Sequence, residues 1–258
     1  MGRKTVHFRR RSQAEFARMF TPLCSTKSSW EVWADFVTLA ALAVANACDQ
    51  QGETHDTRER EYLSIINRYP KPQQQVFPML LAKLVEALEE DSEQDFLGEM
   101  FMALELGNHW KGQFFTPYSI CQLMAAMTID DREKQIQERG WSAVNDPCCG
   151  AGALLIAMRN EMVKRGLGPR QALYVAQDID RTAALMCYLQ LSLLGCAGYV
   201  VVGDTLTQPS ISPTGSPLLI VPAEGQEVWL MPAFYDDVWV YRVQFEKVKW
   251  LTTPKEES

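Results

Sequence analysis

The stretch NDPCCGAGALLIA, residues 145–157, places a proline, two adjacent cysteines and two closely spaced glycines directly before an apolar helical pattern. Glycine in such a run is typical of a tight turn between a strand and a helix, because it adopts backbone conformations that other residues avoid. Bare backbone at such a turn also lets a ligand approach the main chain and the first amides of the helix. The surrounding sequence must decide between these uses.

Three short apolar runs lie around this turn: WSAVNDP (141–147), ALYVAQDID (172–180) and GYVVVGDTL (198–206). Each is rich in residues that favour strands and ends near an acidic residue. Helical patterns follow the first two runs, at 151–165 and 180–194. Strands that alternate with helices predict an α/β fold with a parallel sheet covered by helices.

In such a sheet, ligands bind beyond the carboxyl ends of the strands, where these acidic residues lie. Gly150 and Gly152 expose the start of the helix that follows the first strand. Asp178 lies roughly thirty residues after the start of the turn, where comparable folds hydrogen-bond a ribose, and Asp204 follows the third strand. Together these residues predict a pocket for an adenosine-containing cofactor. The alternative interpretation is that they only cap helices and form turns.

Charge is distributed unevenly along the 258 residues, of which 47% are hydrophobic and 22% charged, for a formal net charge of −7. Five basic residues among the first eleven contribute +5, which leaves −12 for the remainder: Arg3, Lys4, Arg9, Arg10 and Arg11. We expect only this N-terminal arm to bind phosphates. A disordered, solubilising tail is the alternative.

No apolar run approaches the roughly 20 residues of a membrane-spanning helix, and the N-terminus lacks a secretory signal pattern. We therefore expect a cytoplasmic protein that is not bound to a membrane. The seven cysteines fit neither a disulfide framework nor zinc-ligand spacing, so we expect reduced thiols and no metal site.

The chain before the sheet region has mostly helical patterns from Glu15 to Leu106, broken around YPKPQQQVFP at 69–78. We predict three units: a basic arm at 1–14, a helical region at 15–110 and a sheet domain at 111–258.

Four motifs, in this order along the chain, resemble those of a known family: GQFFTP (112–117), DPCCGAG (146–152), AQDIDRTAALMCYLQLSLLG (176–195) and GDTL (203–206). They resemble the S-adenosylmethionine-binding half of adenine-N6 DNA methyltransferases, with most similarity to the modification subunit of type I restriction-modification systems. FLGEMFMALEL, which begins at Phe96, also resembles the family's lead-in to its catalytic domain.

The resemblance implies a Rossmann-like methyltransferase fold with an all-helical N-terminal region, and S-adenosylmethionine as cofactor. It also implies a set of cofactor-binding residues from three stretches. One borders the methionine end of the cofactor, one forms the turn beneath it, and one contacts the ribose and the adenine. In chain order they are Phe115, Thr116, Pro117, Asp146, Pro147, Cys149, Gly150, Gly152, Asp178, Ile179, Asp204 and Thr205.

The chain departs from the family at the catalytic tetrapeptide [DN]PP[FY], which holds and stacks on the flipped adenine. The nearest counterpart in sequence position is EVWLMPAF, in which Met231, Pro232, Ala233 and Phe234 take these places. A thioether is a weak acceptor where the reaction needs an oxygen, so the catalytic residues stay unassigned. A buried strand end is the alternative interpretation.

Few residues follow Phe234, so we expect a sheet that is either truncated or completed by a partner, which includes a second copy of the chain. A cluster of Trp229, Trp239, Tyr241 and Trp250 could form that interface or pack in the core. Three functions remain open: an active DNA adenine methyltransferase, a silent relative that acts as a DNA-binding or assembly subunit, and a methyltransferase for another substrate. We expect DNA binding to be weak or to depend on a partner subunit.

Overall fold

The computed structural model describes residues 8–106, 115–210, 215–220 and 222–252. Arg3 and Lys4 of the arm and 112–114 of the GQFFTP motif therefore lie outside the described residues. The helices are α1 Arg11–Phe20, α2 Ser29–Cys48, α3 Glu53–Ile66, α4 Lys71–Gln74, α5 Val76–Glu90, α6 Phe96–Ala103, α7 Tyr118–Arg139, α8 Ala153–Lys164, α9 Arg181–Leu193 and α10 Asp237–Thr252. Short 3₁₀ turns lie at Thr21–Ser25, Pro169–Gln171 and Pro232–Tyr235.

The sheet has four strands in the described part of the chain: β1 Ser142–Asp146, β2 Ala172–Asp178, β3 Ala197–Val202 and β4 Glu227–Leu230. Their spatial order is β1-β2-β3-β4; the first three are parallel and β4 runs antiparallel to β3. The prediction of an α/β fold with three parallel strands is confirmed. The carboxyl ends of these strands meet at one edge.

The two faces of the sheet are covered differently. One face packs under α8 and α9, and these helices join the N-terminal helices in one continuous buried cluster. Trp33 in α2 shows this contact directly, because its indole lies 3.4 Å from the Met186 sulfur in α9. The other face packs against the smaller cluster that contains Phe234 and Trp239. The helical region and the sheet therefore share a core.

Helix α2 corrects the expectation that no apolar run reaches spanning length. Residues Ser29–Cys48 are long and apolar enough for a membrane span by length and composition alone. However, 61% of the relevant window is buried within the fold, and the core helix of a soluble protein passes the same test. Burial of Trp33 and Phe36 against other helices accounts for the apolar character of α2.

The N-terminal arm is partly incorporated into the fold. Helix α1 begins at Arg11, inside the predicted arm. The Arg10 guanidinium pairs with Glu99 at 2.9 Å and Asp91 at 3.1 Å, and Arg11 pairs with Glu15. Arg10 is therefore engaged within the protein rather than held free for phosphates.

The aromatic cluster near the C-terminus divides between core and surface. Trp229 and Trp239 are buried, whereas Tyr241 and Trp250 are exposed. Core packing therefore explains the two buried tryptophans, and Tyr241 and Trp250 remain candidates for an interface.

Gly198 sets the close approach of β2 and β3. Its φ is +146°, and a Cβ atom there would lie 1.8 Å from the Tyr174 carbonyl oxygen of the neighbouring strand. Gly195, five residues after Gln190 at the end of α9, has φ +72° and open space around its missing Cβ.

We therefore expect Gly198→Ala to lower the free energy of unfolding by about 3 kcal/mol or more, because the strands must separate. The matched variant Gly195→Ala carries only backbone strain and is expected to cost about 1 kcal/mol. Urea unfolding followed by circular dichroism measures both. Equal losses would contradict the close contact between these strands.

Candidate cofactor-binding site

The turn between β1 and α8 is fastened to the end of β2 by main-chain donors. The Cys149 N–H donates to the Gln177 carbonyl at 3.0 Å, and the Gly150 N–H donates to Asp178 Oδ2 at 2.8 Å. Asp178 Oδ1 accepts from the Asp180 N–H at 2.9 Å, which orients the start of α9. Asp178 thus connects two of the strand ends predicted to form the pocket.

The two glycines of this turn are required by conformation and by space. Gly150 has φ +52° and Gly152 has φ +93°. A Cβ on Gly150 would lie 2.9 Å from the Phe115 ring, and one on Gly152 would lie 2.9 Å from the Cys187 sulfur and 3.3 Å from its Cα. The bare stretch of backbone therefore lets an aromatic ring and helix α9 pack directly on the turn.

A cavity of about 350 Å³ lies at this edge of the sheet. Its size falls in the range of small-molecule sites. Half of the cofactor-binding residues implied by the resemblance line it: Phe115, Thr116, Asp146, Cys149, Gly150 and Asp178. These six residues come from distant segments, and the fold brings them together as expected.

The other six implied residues lie outside the lining of this cavity. Pro117 is the N-cap of α7, Gly152 packs against Cys187, and Ile179 is 69% exposed. The Thr205 hydroxyl donates to the Pro147 carbonyl, which ties the GDTL segment to the turn. Asp204 Oδ1 accepts from the Leu206 N–H at 2.9 Å, close to the same edge of the sheet. Their cofactor contacts stay predictions.

Sequence reasoning missed several lining residues: Asp95, Cys121, Met124, Leu154 and Ala183. Most of these offer no chemical signal, because apolar residues on helices look like core residues. Asp95 did carry a signal, since an aspartate directly before an apolar helical pattern is typical of a helix N-cap. Its position in the cavity wall depends on tertiary packing that no local pattern specifies.

The cavity lining combines carboxylates with the start of a helix. Asp95, Asp146 and Asp178 are its charged residues, with no lysine or arginine in the described lining. Helix α8 has no side-chain cap at its N-terminus, and its first residues, Ala153 and Leu154, line the cavity. Uncapped helix amides favour an anionic group, and carboxylates favour cations and hydroxyl groups.

Burial raises the pKa of two of these acids, Asp146 and Asp95. Burial raises the pKa of Asp146, with a further rise from the Asp178 charge, while the Cys148 N–H bond opposes the shift. Burial also raises the pKa of Asp95 to about 6, against the bonds from Gln190 and Gly98. In Asp204 the pKa is lowered, first by the Leu206 N–H bond. Charged Asp95 and Asp146 are therefore desolvated in the free protein, which favours a ligand that neutralises them.

This donor set fits the S-adenosylmethionine that the resemblance implies. The cofactor combines an ammonium, a carboxylate and a sulfonium with ribose hydroxyls, and the cavity offers acidic side chains and free amides. Asp178 and the turn would hold the ribose side, and Phe115 and Thr116 border the other end. The described residues contain no group of three His, Cys, Asp or Glu side chains arranged for a metal ion.

Two buried cysteines of the cavity wall, Cys121 and Cys149, are held as protonated thiols. Burial raises the pKa of Cys121 to about 11. The pKa of Cys149 is also raised, first by its hydrogen bond with the Cys187 thiol and then by burial. Because only a thiolate is strongly nucleophilic, these side chains act as small apolar wall groups.

The structure corrects the interpretation of Met231, Pro232, Ala233 and Phe234 as positional counterparts of the base-binding tetrapeptide. Strand β4 is antiparallel, so its carboxyl end lies at the edge opposite the cavity. The Met231 N–H donates to the Gly198 carbonyl at the start of β3. Met231 is fully buried, and the Phe234 ring packs 6.2 Å from that of Tyr199. The alternative, a buried strand end, describes these residues.

The second edge of β1 pairs with no strand in the described parts of the chain. The Arg132 guanidinium donates to the Ala143 carbonyl of this strand at 2.9 Å. In the common doubly wound order 3-2-1-4, the fourth strand lies beside the first. Strand β4 therefore does not occupy the position beside β1, next to the cavity.

Comparisons with known proteins give the family. A crystal structure from Listeria monocytogenes, described as a class I S-adenosylmethionine-dependent methyltransferase, aligns over 94% of this chain and 71% of its own, with 15% identity and a TM-score of 0.42. No curated protein matches the sequence. The family model described as N-6 DNA Methylase matches residues 94–249, more than half of the chain, and its cofactor is S-adenosylmethionine. The chain therefore belongs to the N-6 DNA methylase family.

Proposed function

We propose that this chain is the cofactor-binding part of a DNA adenine-N6 methyltransferase and that it transfers no methyl group to DNA without a partner. The observation that carries the proposal is the separation of two features. The cofactor cavity lies at the carboxyl edge of the parallel strands, while Met231 and Phe234 lie at the opposite edge.

The chemistry explains why this separation matters. The amino group of adenine is a poor nucleophile, because its lone pair is delocalised into the ring. Oxygen acceptors placed beside the cofactor's methyl group hold the amine as its geometry changes. The cavity offers Asp146 beside the turn, but burial raises the pKa of that carboxyl, and Asp146 is the last residue of β1 rather than part of a base-binding loop. S-adenosylmethionine supplies the methyl group when it is bound.

A partner polypeptide completes the sheet in this proposal. Its strand adds beside β1, the unpaired edge strand next to the cavity. The Ala143 carbonyl on that strand is already engaged by Arg132, which shields part of the edge in the isolated chain. Such a strand places its own carboxyl end, with the acceptor groups, beside the bound cofactor.

DNA contacts also come largely from the partner. The chain beyond residue 11 carries a net charge of −12, and the described residues Arg10 and Arg11 form ion pairs within the protein. Arg9 and the residues before it remain the basic part of the arm. We infer that the chain works in the cytoplasm, as part of a restriction-modification assembly.

Calorimetric titration with S-adenosylhomocysteine tests cofactor binding. We expect binding by the wild type, and Asp178→Ala should weaken it by about 1.5–3 kcal/mol, because a charge-assisted hydrogen bond to the ribose is lost. Asp131→Ala, an exposed acid on α7, serves as the control and should bind normally. If the wild type shows no heat and no thermal shift at millimolar ligand, the cavity is not a cofactor site.

A methylation assay tests the missing acceptor. The purified chain with labelled cofactor and mixed-sequence DNA should give no adenine methylation above background, since one absent preorganised group lowers rates by ~10²–10³. The double variant Met231→Asn, Ala233→Pro should be equally inactive and about 1–3 kcal/mol less stable, because it buries an amide. Robust activity of the wild type would contradict the proposal, and activity only in the double variant would return the tetrapeptide to the site.

The arm is tested by removing three of its basic residues while Arg10 and Arg11 are kept. The triple variant Arg3→Ala, Lys4→Ala, Arg9→Ala retains the Arg10 ion pairs. We expect weak DNA binding by the wild type that falls with salt and falls further in the variant, because each lost phosphate contact reduces counterion release. Fluorescence anisotropy at two salt concentrations measures this. Unchanged affinity in the variant would exclude the arm from DNA binding.

A further inference from the structure

Asp95 is a buried carboxylate in the cavity wall that the family motifs do not include. It is 3% exposed and forms the N-cap of α6. Oδ1 accepts both hydrogen bonds that this side chain makes to described residues, from the Gly98 N–H at 2.9 Å and from Gln190 Nε2 at 2.7 Å. Oδ2 accepts no hydrogen bond from a described residue. Asp95 lines the cavity, so this carboxylate is available to a ligand there.

Gln190 fixes this carboxylate relative to the glycine turn. Its side-chain amide donates to Asp95 and also to the Ala151 carbonyl at 2.9 Å, while its oxygen accepts from the Leu97 N–H at 3.0 Å. Gln190 itself is completely buried. One rigid side chain therefore connects α6, the turn and α9, and it holds Asp95 beside the N-terminus of α8.

We propose that Asp95 binds the α-ammonium group of the methionine portion of S-adenosylmethionine. This inference rests on the proposed cofactor site. Asp95 lines the same cavity as Phe115 and Thr116. The uncapped start of α8, whose amides suit the α-carboxylate, lines this cavity too. The two charged groups of an amino acid would then each meet a complementary partner, one on α6 and one on α8.

A capping role alone does not account for the charge. Oδ1 satisfies both donors, and an asparagine would accept the same bonds without carrying a charge. A buried carboxylate with no neighbouring cation is costly, and its pKa is accordingly raised to about 6 by burial. A cationic ligand at Oδ2 supplies the counter-charge that the described residues lack.

The test compares three ligands by calorimetry at pH 7.5. S-adenosylhomocysteine has the ammonium but no sulfonium, methylthioadenosine lacks the whole amino acid portion, and decarboxylated S-adenosylmethionine keeps the ammonium without the carboxylate. We expect Asp95→Asn to weaken the first and third ligands by about 10- to 100-fold and to leave methylthioadenosine within about twofold of the wild type. The variant keeps the Oδ1 bonds, so its urea midpoint should not fall below that of the wild type.

Two control variants separate this inference from the cofactor site itself. Asp178→Asn should weaken all three ligands, because each contains the ribose. Glu99→Gln removes a nearby charge that pairs with Arg10 and should change none of them. If the wild type binds no ligand, the proposed function fails. If the wild type binds, three results for Asp95→Asn would overturn the role of Asp95 and leave the cofactor site intact. These are normal affinity for S-adenosylhomocysteine, an equal loss of affinity for methylthioadenosine, or a loss of affinity for decarboxylated S-adenosylmethionine alone.

Discussion

The close packing of the glycine turn between β1 and α8 is the constraint on which the site depends. Phe115 presses on Gly150 from one side, and Cys187 of α9 presses on Gly152 from the other. Neither contact leaves space for a Cβ atom. The Gly150 N–H in turn reaches Asp178, so one turn joins the start of α8, the end of β2 and the segment before α7. The cavity is the space that remains where these elements converge.

Strand direction then determines what the site contains. The parallel strands β1, β2 and β3 bring their carboxyl ends to one edge, and the cavity lies beyond them. Strand β4 runs the opposite way, so Met231 and Phe234 lie in buried clusters at the far edge of the sheet. A single reversal therefore separates cofactor binding from the segment that sequence order places in the catalytic position. The second edge of β1 pairs with no strand among the described residues, and we propose that a partner strand adds there.

Much of this architecture could be predicted from the sequence, because the signals are local. The turn and the edge of the pocket could be predicted from Gly150, Gly152 and the acids that end the first two strands. The direction of β4 could not be predicted, since EVWL has the same apolar character in either orientation, and pairing depends on the long connection after Leu206. Asp95 escaped detection for a related reason: an N-cap pattern does not show which cavity a helix end faces.

The helical N-terminal region is part of this site rather than a separate support. Asp95 opens α6, and Gln190 of α9 holds it against the turn in the same buried core. Burial of an acid at this junction is unfavourable in the free protein. Such a buried acid is typical of a side chain that binds a ligand. If Asp95 has the proposed role, the fold loses some stability at the position where it gains a binding group.

Amide hydrogen exchange with and without saturating S-adenosylhomocysteine is the most direct measurement of where the cofactor binds. Ligand should slow exchange in peptides that cover 146–154 and 178–183, because the turn and the start of α9 become ordered around it. Peptides that cover 227–235 should exchange at the same rate in both states, since Met231 and Phe234 lie at the opposite edge of the sheet. Slowed exchange at 227–235 with no change in the turn would contradict the central claim.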